Sequence, residues 1–291
     1  TEMGKDINEL EDVATTEGWK KIRDVVLGDR VFAADGSATE VIGVTRTFLD
    51  HVCYRVTFAD GASVIVGEDH EWLAWTQDQY AKGAQPKAVT TKEMLHKGLC
   101  IGKSANDKYP QQRWRVPIAQ AADYPKKALP IPAYVLGAWL GDGTSSSSEI
   151  TGHFDDVEVI GRCSDLLGGV GDLKFIPGRE HLFRCKFAGV REELAALGVL
   201  NNKHIPESYL TSSTEDRVEL LRGLMDTDGT ASNDGKSRVE LCFTNERLAQ
   251  DCLELVRSLG EKATFRVDAI QGYGHPRYRI GWTVTNINPF H

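Results

Sequence analysis

The stretch LLRGLMDTDGT, Leu220 to Thr230, closes an apolar helical pattern on two acids, Asp226 and Asp228, with Gly223 inside the helix and Gly229 at its end. A helix C-terminus is the negative end of the helix dipole, so carboxylates placed there are disfavoured and need a reason. Laying the chain against itself supplies one, because YVLGAWLGDGT, Tyr134 to Thr144, repeats the pattern. After the first copy come a serine-rich turn, a short strand near 149–151, a helix over 157–167 and a strand pair through 173–187. After the second come ASNDGKS, a strand at 238–244, a helix over 247–259 and a strand pair through 263–285. Two copies of one supersecondary unit, each burying a face against the other, account for that shared order.

Asp-Gly at both helix ends predicts that Gly143 and Gly229 take the left-handed conformation that stops a helix. Gly137, Ala138 and Gly223 form a low ridge that lets the two helices approach closely. Packed in register, the helices bring Asp142 and Asp228 side by side. Mutual repulsion and the dipole ends both disfavour ionisation there, and a cation relieves both. Hard oxygen ligands with room for water suit Mg2+, and a divalent ion held between carboxylates and a phosphodiester is apparatus for hydrolysis. A calcium loop in DTDGTASNDGKS fails, because Ala231 stands where the glycine of an EF-hand is needed and Ser237 where its glutamate is needed. Neither GxGxxG nor GxxxxGK[ST] occurs, so nucleotide chemistry has no motif.

The chain is 291 residues long, which predicts two or three domains. No apolar run approaches the roughly 20 residues of a membrane span. The start, TEMGKDINELEDV, is acidic and resembles no secretory signal, so a cytoplasmic protein is expected. Six scattered cysteines show neither CxxC pairs nor zinc spacing and read as reduced thiols. Net charge is −8, and from residue 120 onward 19 Lys and Arg face 24 Asp and Glu, so any DNA contact must be local. Short β-type runs dominate before residue 125: 29–36, 38–48, 53–67 and 70–76, separated by Asp-Gly turns. Helical spacing over 134–140, 157–167, 191–197, 218–225 and 248–259, with strands between, makes the rest α+β.

LRGLMDTDG resembles the signature helix of the LAGLIDADG homing endonucleases, and VLGAWLGDG its partner copy. The resemblance covers roughly the last three fifths of the chain. It implies two pseudo-symmetric αββαββα halves, helices paired at their interface, and sheets seated in the DNA major groove. The last acid of each motif, Asp142 and Asp228, would be catalytic and bind metal. Leu140 stands where Asp226 stands in the second copy, which removes an acid read as a helix cap. NNKHIPESYL resembles the block between the motifs of intein endonucleases, where a lysine assists cleavage, so Lys203 is the candidate. A matching lysine in the second half is not evident, Lys262 being a guess. Strand alternation puts Arg184 and Lys186 on one face, and likewise Arg277 and Arg279. With Arg238 these are the candidate DNA contacts, giving salt-dependent affinity through phosphates and base reading through a subset.

The segments EGWKKIRDVVLGDRVFAADGSATEVIGVTRTF and YRVTFADGASVIVGEDHEWLAWT look like the N-terminal half of a Hint domain, the splicing fold of inteins. His70 in GEDHEW occupies the place of the histidine that strains and protonates the scissile amide. Gly67 stands where most inteins have threonine, and no cysteine or serine begins the module. DHEW is similar to class 3 inteins, which carry a tryptophan two positions after that histidine, so Asp69, His70 and Trp72 are the candidate splicing residues. The close of the sequence, TNINPFH, lacks a C-terminal splicing block, so no splicing nucleophile is nominated and splicing in this form is expected to be incomplete.

The resulting expectation is a multidomain chain: a possible flank at 1–8, a mostly-β partial Hint domain with linker at 9–125, and an endonuclease at 126–291, its halves about 126–210 and 211–291. It would act as a monomeric intein whose nuclease makes an Mg2+-dependent double-strand cut in an intein-less host gene. TEMGKDI resembles the segment upstream of an intein insertion point in replicative DNA helicases, which makes a helicase flank a candidate host. Two other readings stand beside this one: a noncleaving DNA-binding relic, and a Hint autoprocessing protein whose insert is a scaffold.

Overall fold

The computed structural model describes residues 6–101, 111–169, 171–232, 235–269, 274 and 276–291. Most of TEMGKDI lies outside them, as does the turn of the last strand pair. The chain divides into two units: residues up to 15 with 19–31 and 39–119, and residues 16–18, 32–38 and 120–291.

Before residue 120 strands outnumber helices among the described residues. β1 (Asp12–Thr15), β2 (Gly18–Lys21), β3 (Arg30–Phe32) and β4 (Ala38–Glu40) form a sheet of order β2-β1-β3-β4. β5 (Cys53–Thr57) and β6 (Ser63–Gly67) form a hairpin, and β7 (Glu71–Thr76) pairs with β8 (Lys87–Thr90). Two short helices, α1 (Gln77–Ala81) and α2 (Thr91–Lys97), each begin on a reciprocal capping box, Thr76 with Gln79 and Thr90 with Glu93. β9 (Cys100–Ile101) pairs with β10 (Gln111–Gln112), and β11 (Trp114–Arg115) adds to β7. The strand expected over 38–48 stops at Glu40. Beyond it Ile42 is 90% and Leu49 80% exposed, so that run has no described surface on which to bury its alternating apolar face.

The second unit is built on α3 (Ala133–Asp142) and α7 (Thr214–Asp228), packed against each other. After α3 come β12 (Glu149–His153), α4 (Val157–Leu166), β13 (Gly171–Ile176), β14 (Arg179–Phe187), α5 (Val190–Ala196) and α6 (Glu207–Leu210). After α7 come β15 (Gly229–Ala231), β16 (Arg238–Phe243), α8 (Glu246–Ser258), β17 (Thr264–Asp268) and β18 (Arg277–Thr283). The sheets run β12-β14-β13 and β15-β16-β18-β17, all antiparallel, with β14 and β18 central. Only the second half thus has the αββαββ order. In the first, the expected strand after the helix is reduced to a single bridge, Gly143 with Ile150.

Every residue of α3 from Ala133 to Leu140 is buried, as its nearly unbroken apolar sequence demands. α7 and α8 instead bury one stripe each and start on side-chain caps, Ser213 Oγ accepting from Asp216 N–H and Asn245 Oδ1 from Leu248 N–H. Each large side chain in the shared core, Trp139, Leu220 and Leu224 among them, contributes about 1.5–3 kcal/mol by leaving water.

Two buried charges complete the unit. The Arg217 guanidinium donates to the Ser212 and Ser258 carbonyls at 3.0 and 2.7 Å, lies over the Tyr124 ring, and has its pKa lowered by burial to about 10. The Glu261 carboxylate accepts from the N–H groups of Thr285, Asn286 and Ile287 and from Thr285 Oγ1, pinning the segment after β18. The six cysteines form no disulfide. Among the described residues no helix is long and apolar enough to cross a membrane.

Candidate active site and nucleic-acid interface

The helix pair is held at backbone distance. A Cβ on Gly137 would fall 2.2 Å from the Leu220 carbonyl oxygen, one on Gly223 2.2 Å from that of Tyr134, and one on Gly141 2.1 Å from Thr227 Oγ1. These three glycines set the spacing, and with it the meeting of the two Asp-Gly ends. Gly143 and Gly229 act differently from the expectation: their backbones are extended, φ −71° and −80°, not left-handed. A side chain there would collide with the carbonyl of the preceding turn, Trp139 O at 2.2 Å and Met225 O at 2.3 Å. Glycine at these positions lets the chain leave each helix straight into a strand or bridge, fixing Asp142 and Asp228 where helix meets sheet.

Asp142 and Asp228 are partly buried and electrostatically coupled. Burial raises both carboxyl pKa values; Asp142 reaches about 6, with the charge of Asp228 adding to the rise. Lys203 opposes this on both acids, and its own pKa is lowered by burial to about 8 against the pull of the two carboxylates. Its Nζ donates to the carbonyls of Leu140 and Gly141, each at 2.9 Å, capping the last turn of α3, and lies 5.2 Å from the centre of the Trp139 ring. Asp142, Asp228 and Lys203 are therefore brought together.

The loop carrying Lys203 is held from α8. Asn245 Nδ2 donates to the Lys203 carbonyl at 2.7 Å, and Asp251 accepts from Ile205 N–H at 2.8 Å. Neither residue was a sequence candidate, since both act across more than 40 residues of chain. Asp226 is no helix cap: its carboxylate accepts from Tyr134 Oη at 2.8 Å and from His291 N–H at 3.2 Å, tying α7 to α3 and to the final segment. Lys262 is exposed in the loop between α8 and β17, and α8 matches α4 in element order, so its place does not correspond to that of Lys203.

Two acids from different helix ends suit a divalent ion completed by water and phosphate oxygens, the way Mg2+ is usually held. Their raised pKa values mark a site where added positive charge is stabilising. Among the described residues no set of three or more His, Cys, Asp or Glu forms a protein-only cage.

Both sheets present the expected cationic rows on an exposed face. Arg184 and Lys186 alternate with buried Phe183, Cys185 and Phe187; Arg277 and Arg279 alternate with buried Tyr278 and Ile280. Cross-strand register adds two cations that single-strand alternation missed: Lys174 opposite Arg184, and Arg266 opposite Arg279. Arg238 joins the second face opposite Thr283. Acids share these faces. Arg184 lies 3.8 Å from Glu149, Lys174 pairs with Asp172 at 2.7 Å, and Arg279 pairs with both Glu240 and Asp268.

In the first unit the His70 ring sits edge-on to Trp72, centroids 4.7 Å apart. Trp72 Nε1 donates to Thr91 Oγ1 at 3.0 Å, and Thr91 N–H donates to the His70 carbonyl at 3.0 Å, so a threonine absent from the sequence candidates links the two. Asp69 is exposed beside them in the turn after β6. Gly67 has a physical reason: its N–H donates to the Asp6 carbonyl at 2.7 Å, and a Cβ there would lie 2.3 Å from the Asp6 carboxylate. The segment at Asp6–Asn8 runs antiparallel along β6, bridged at Ile7 and Val66.

Residues 215–285 match the family model of a LAGLIDADG-like domain. The replicative DNA helicase DnaB of Mycobacterium intracellulare is 34% identical over 289 residues, covering 93% of this chain and 45% of that protein, so the chain spans under half of its relative. Among solved structures, mesophilic variants of the homing endonuclease I-DmoI align over 53% of this chain and 88% of theirs, at 15% identity and a TM-score of 0.38. The MchDnaB-1 intein aligns over 38% of this chain and 76% of its own, at 24% identity and a TM-score of 0.26. A LAGLIDADG-like domain therefore lies within a sequence that is similar along nearly all its length to part of a replicative helicase polypeptide.

Proposed function

We propose that the second unit is a homing endonuclease that makes a double-strand cut in DnaB-coding DNA lacking the insertion, by divalent-ion-dependent phosphodiester hydrolysis. The observation that carries this is the convergence of Asp142 and Asp228 on Lys203 at the ends of two helices packed through glycine. Bound there, Mg2+ would neutralise the acids and supply a polarised phosphate and an activated water. The chain's own residues do the rest. The two carboxylates orient the scissile phosphate, Lys203 with its pKa near 8 gives or takes a proton close to neutrality, and the cationic sheet rows hold the duplex.

The first unit acts as the N-terminal portion of a class 3-type Hint domain, where His70, steadied by Trp72 and Thr91, protonates the scissile amide while Asp69 lies at the same turn. Host helicase flanks are its partners.

A noncleaving relic is favoured by one observation: among the described residues a single lysine acts on the acid pair. Incubating the protein with a plasmid carrying the joined host-gene junction and Mg2+ decides between the two. Linear product dependent on Mg2+ supports the nuclease. A gel-shifted but intact plasmid refutes cleavage and leaves the relic.

A further inference from the structure

Arg279 is framed by acids on both sides. Its Nε donates to Asp268 at 2.5 Å and its Nη1 donates to Glu240, one carboxylate from each strand flanking β18. On the first sheet, Lys174 pairs with Asp172 at 2.7 Å and Arg184 lies 3.8 Å from Glu149.

Such a frame is ill suited to a phosphate contact, since a phosphate drawn to Arg279 would approach two carboxylates, and like charges brought together at an interface cost binding. It is well suited to a base. The guanidinium is planar, and with Nε and Nη1 engaged, Nη2 and the second Nη1 proton form the fork that fits the O6 and N7 acceptors of guanine in the major groove. Held from both sides before DNA arrives, the side chain has less rotamer freedom left to lose on binding. The flanking acids also discriminate: they repel backbone phosphates in any register that slides one onto this spot.

We propose that Arg279 reads a guanine through the major groove, with Glu240 and Asp268 as positioning residues that hold its guanidinium for that base and penalise noncognate registers. This rests on the DNA-binding reading above and deepens it.

The test selects, from duplexes with a randomised core, those retained by the full chain in low salt with Ca2+ in place of Mg2+. It compares wild type, Arg279→Lys, and the double variant Glu240→Gln/Asp268→Asn, each checked for an unchanged thermal melt. The wild type should enrich guanine at one position. Arg279→Lys, which keeps the charge, should reduce that preference about tenfold while leaving the others. The double variant leaves Arg279 in place and should raise affinity for unselected duplex about tenfold while lowering the guanine preference. If Arg279→Lys weakens all duplexes alike with the preference intact, Arg279 is a phosphate contact and the inference is overturned. A double variant that loses affinity for unselected DNA overturns it too. Wild type retaining no duplex refutes DNA binding itself and this inference with it.

Discussion

The two halves of the second unit keep the same few things and differ in the rest. Each has a helix running through a glycine contact to an Asp-Gly end, then an antiparallel sheet whose central strand carries cations. Yet α3 is a 10-residue helix buried almost throughout, with its last carbonyls capped by Lys203, whereas α7 has 15 residues, a serine cap and a half-wet surface. The first sheet has three strands; the second has four and a doubly framed arginine. What survives in both copies is what the proposed metal chemistry at a shared seam requires. What differs is what each half can change alone, namely its outer strands and its reading surface.

Removing one acid at a time separates the contributions of the two halves. If both copies contribute equally, Asp142→Asn and Asp228→Asn should each slow plasmid cleavage by about a thousandfold or more while DNA is still retained in a gel shift, because each loss takes several kcal/mol of charge stabilisation from the reacting phosphate. Unequal losses would assign the chemistry to one half. The seam comes next. Gly223→Ala forces a methyl group into the Tyr134 carbonyl, and thermal or urea unfolding should show a loss of about 3 kcal/mol.

Lys203 is the asymmetric element. Lys203→Met should lower the single-turnover cleavage rate about a hundredfold. Its charge holds both acids down, so its removal should raise their pKa values and move the pH at half-maximal cleavage upward. The smallest effect is on stability without metal. The folded pKa of Asp142, about 6, lies above the ordinary carboxylate value, so its stability contribution is present in full below about pH 4 and is lost as pH rises through 6. Asp142→Asn should therefore stabilise the chelator-treated protein by about 1–2 kcal/mol at pH 8 and leave it unchanged near pH 4, as read by urea unfolding at both pH values.

The helix pair was legible because its signals are local: a 3.6-residue period, small residues on one ridge, and an acid before a glycine. The mode of termination was not, since Asp-Gly reads the same whether the helix stops in a left-handed turn or passes straight into a strand; the collision with Trp139 and Met225 carbonyls exists only once the backbone is placed. The capping boxes starting α1 and α2 were local, in TQDQ and TTKE, and could have been read from spacing alone. Asn245 and Asp251 could not, because they reach the Lys203 loop from 42 and 46 residues away. The extra cations Lys174 and Arg266 needed strand register, which alternation along one strand does not supply.

One bound ion would decide the proposed chemistry of the seam. Crystals of the protein bound to DNA carrying the host junction, grown with Mn2+ and measured at its absorption edge, should show an anomalous peak within coordination distance of both the Asp142 and the Asp228 carboxylates. DNA seated on the sheets with no peak at that seam, or with a peak bound by neither acid, would contradict it.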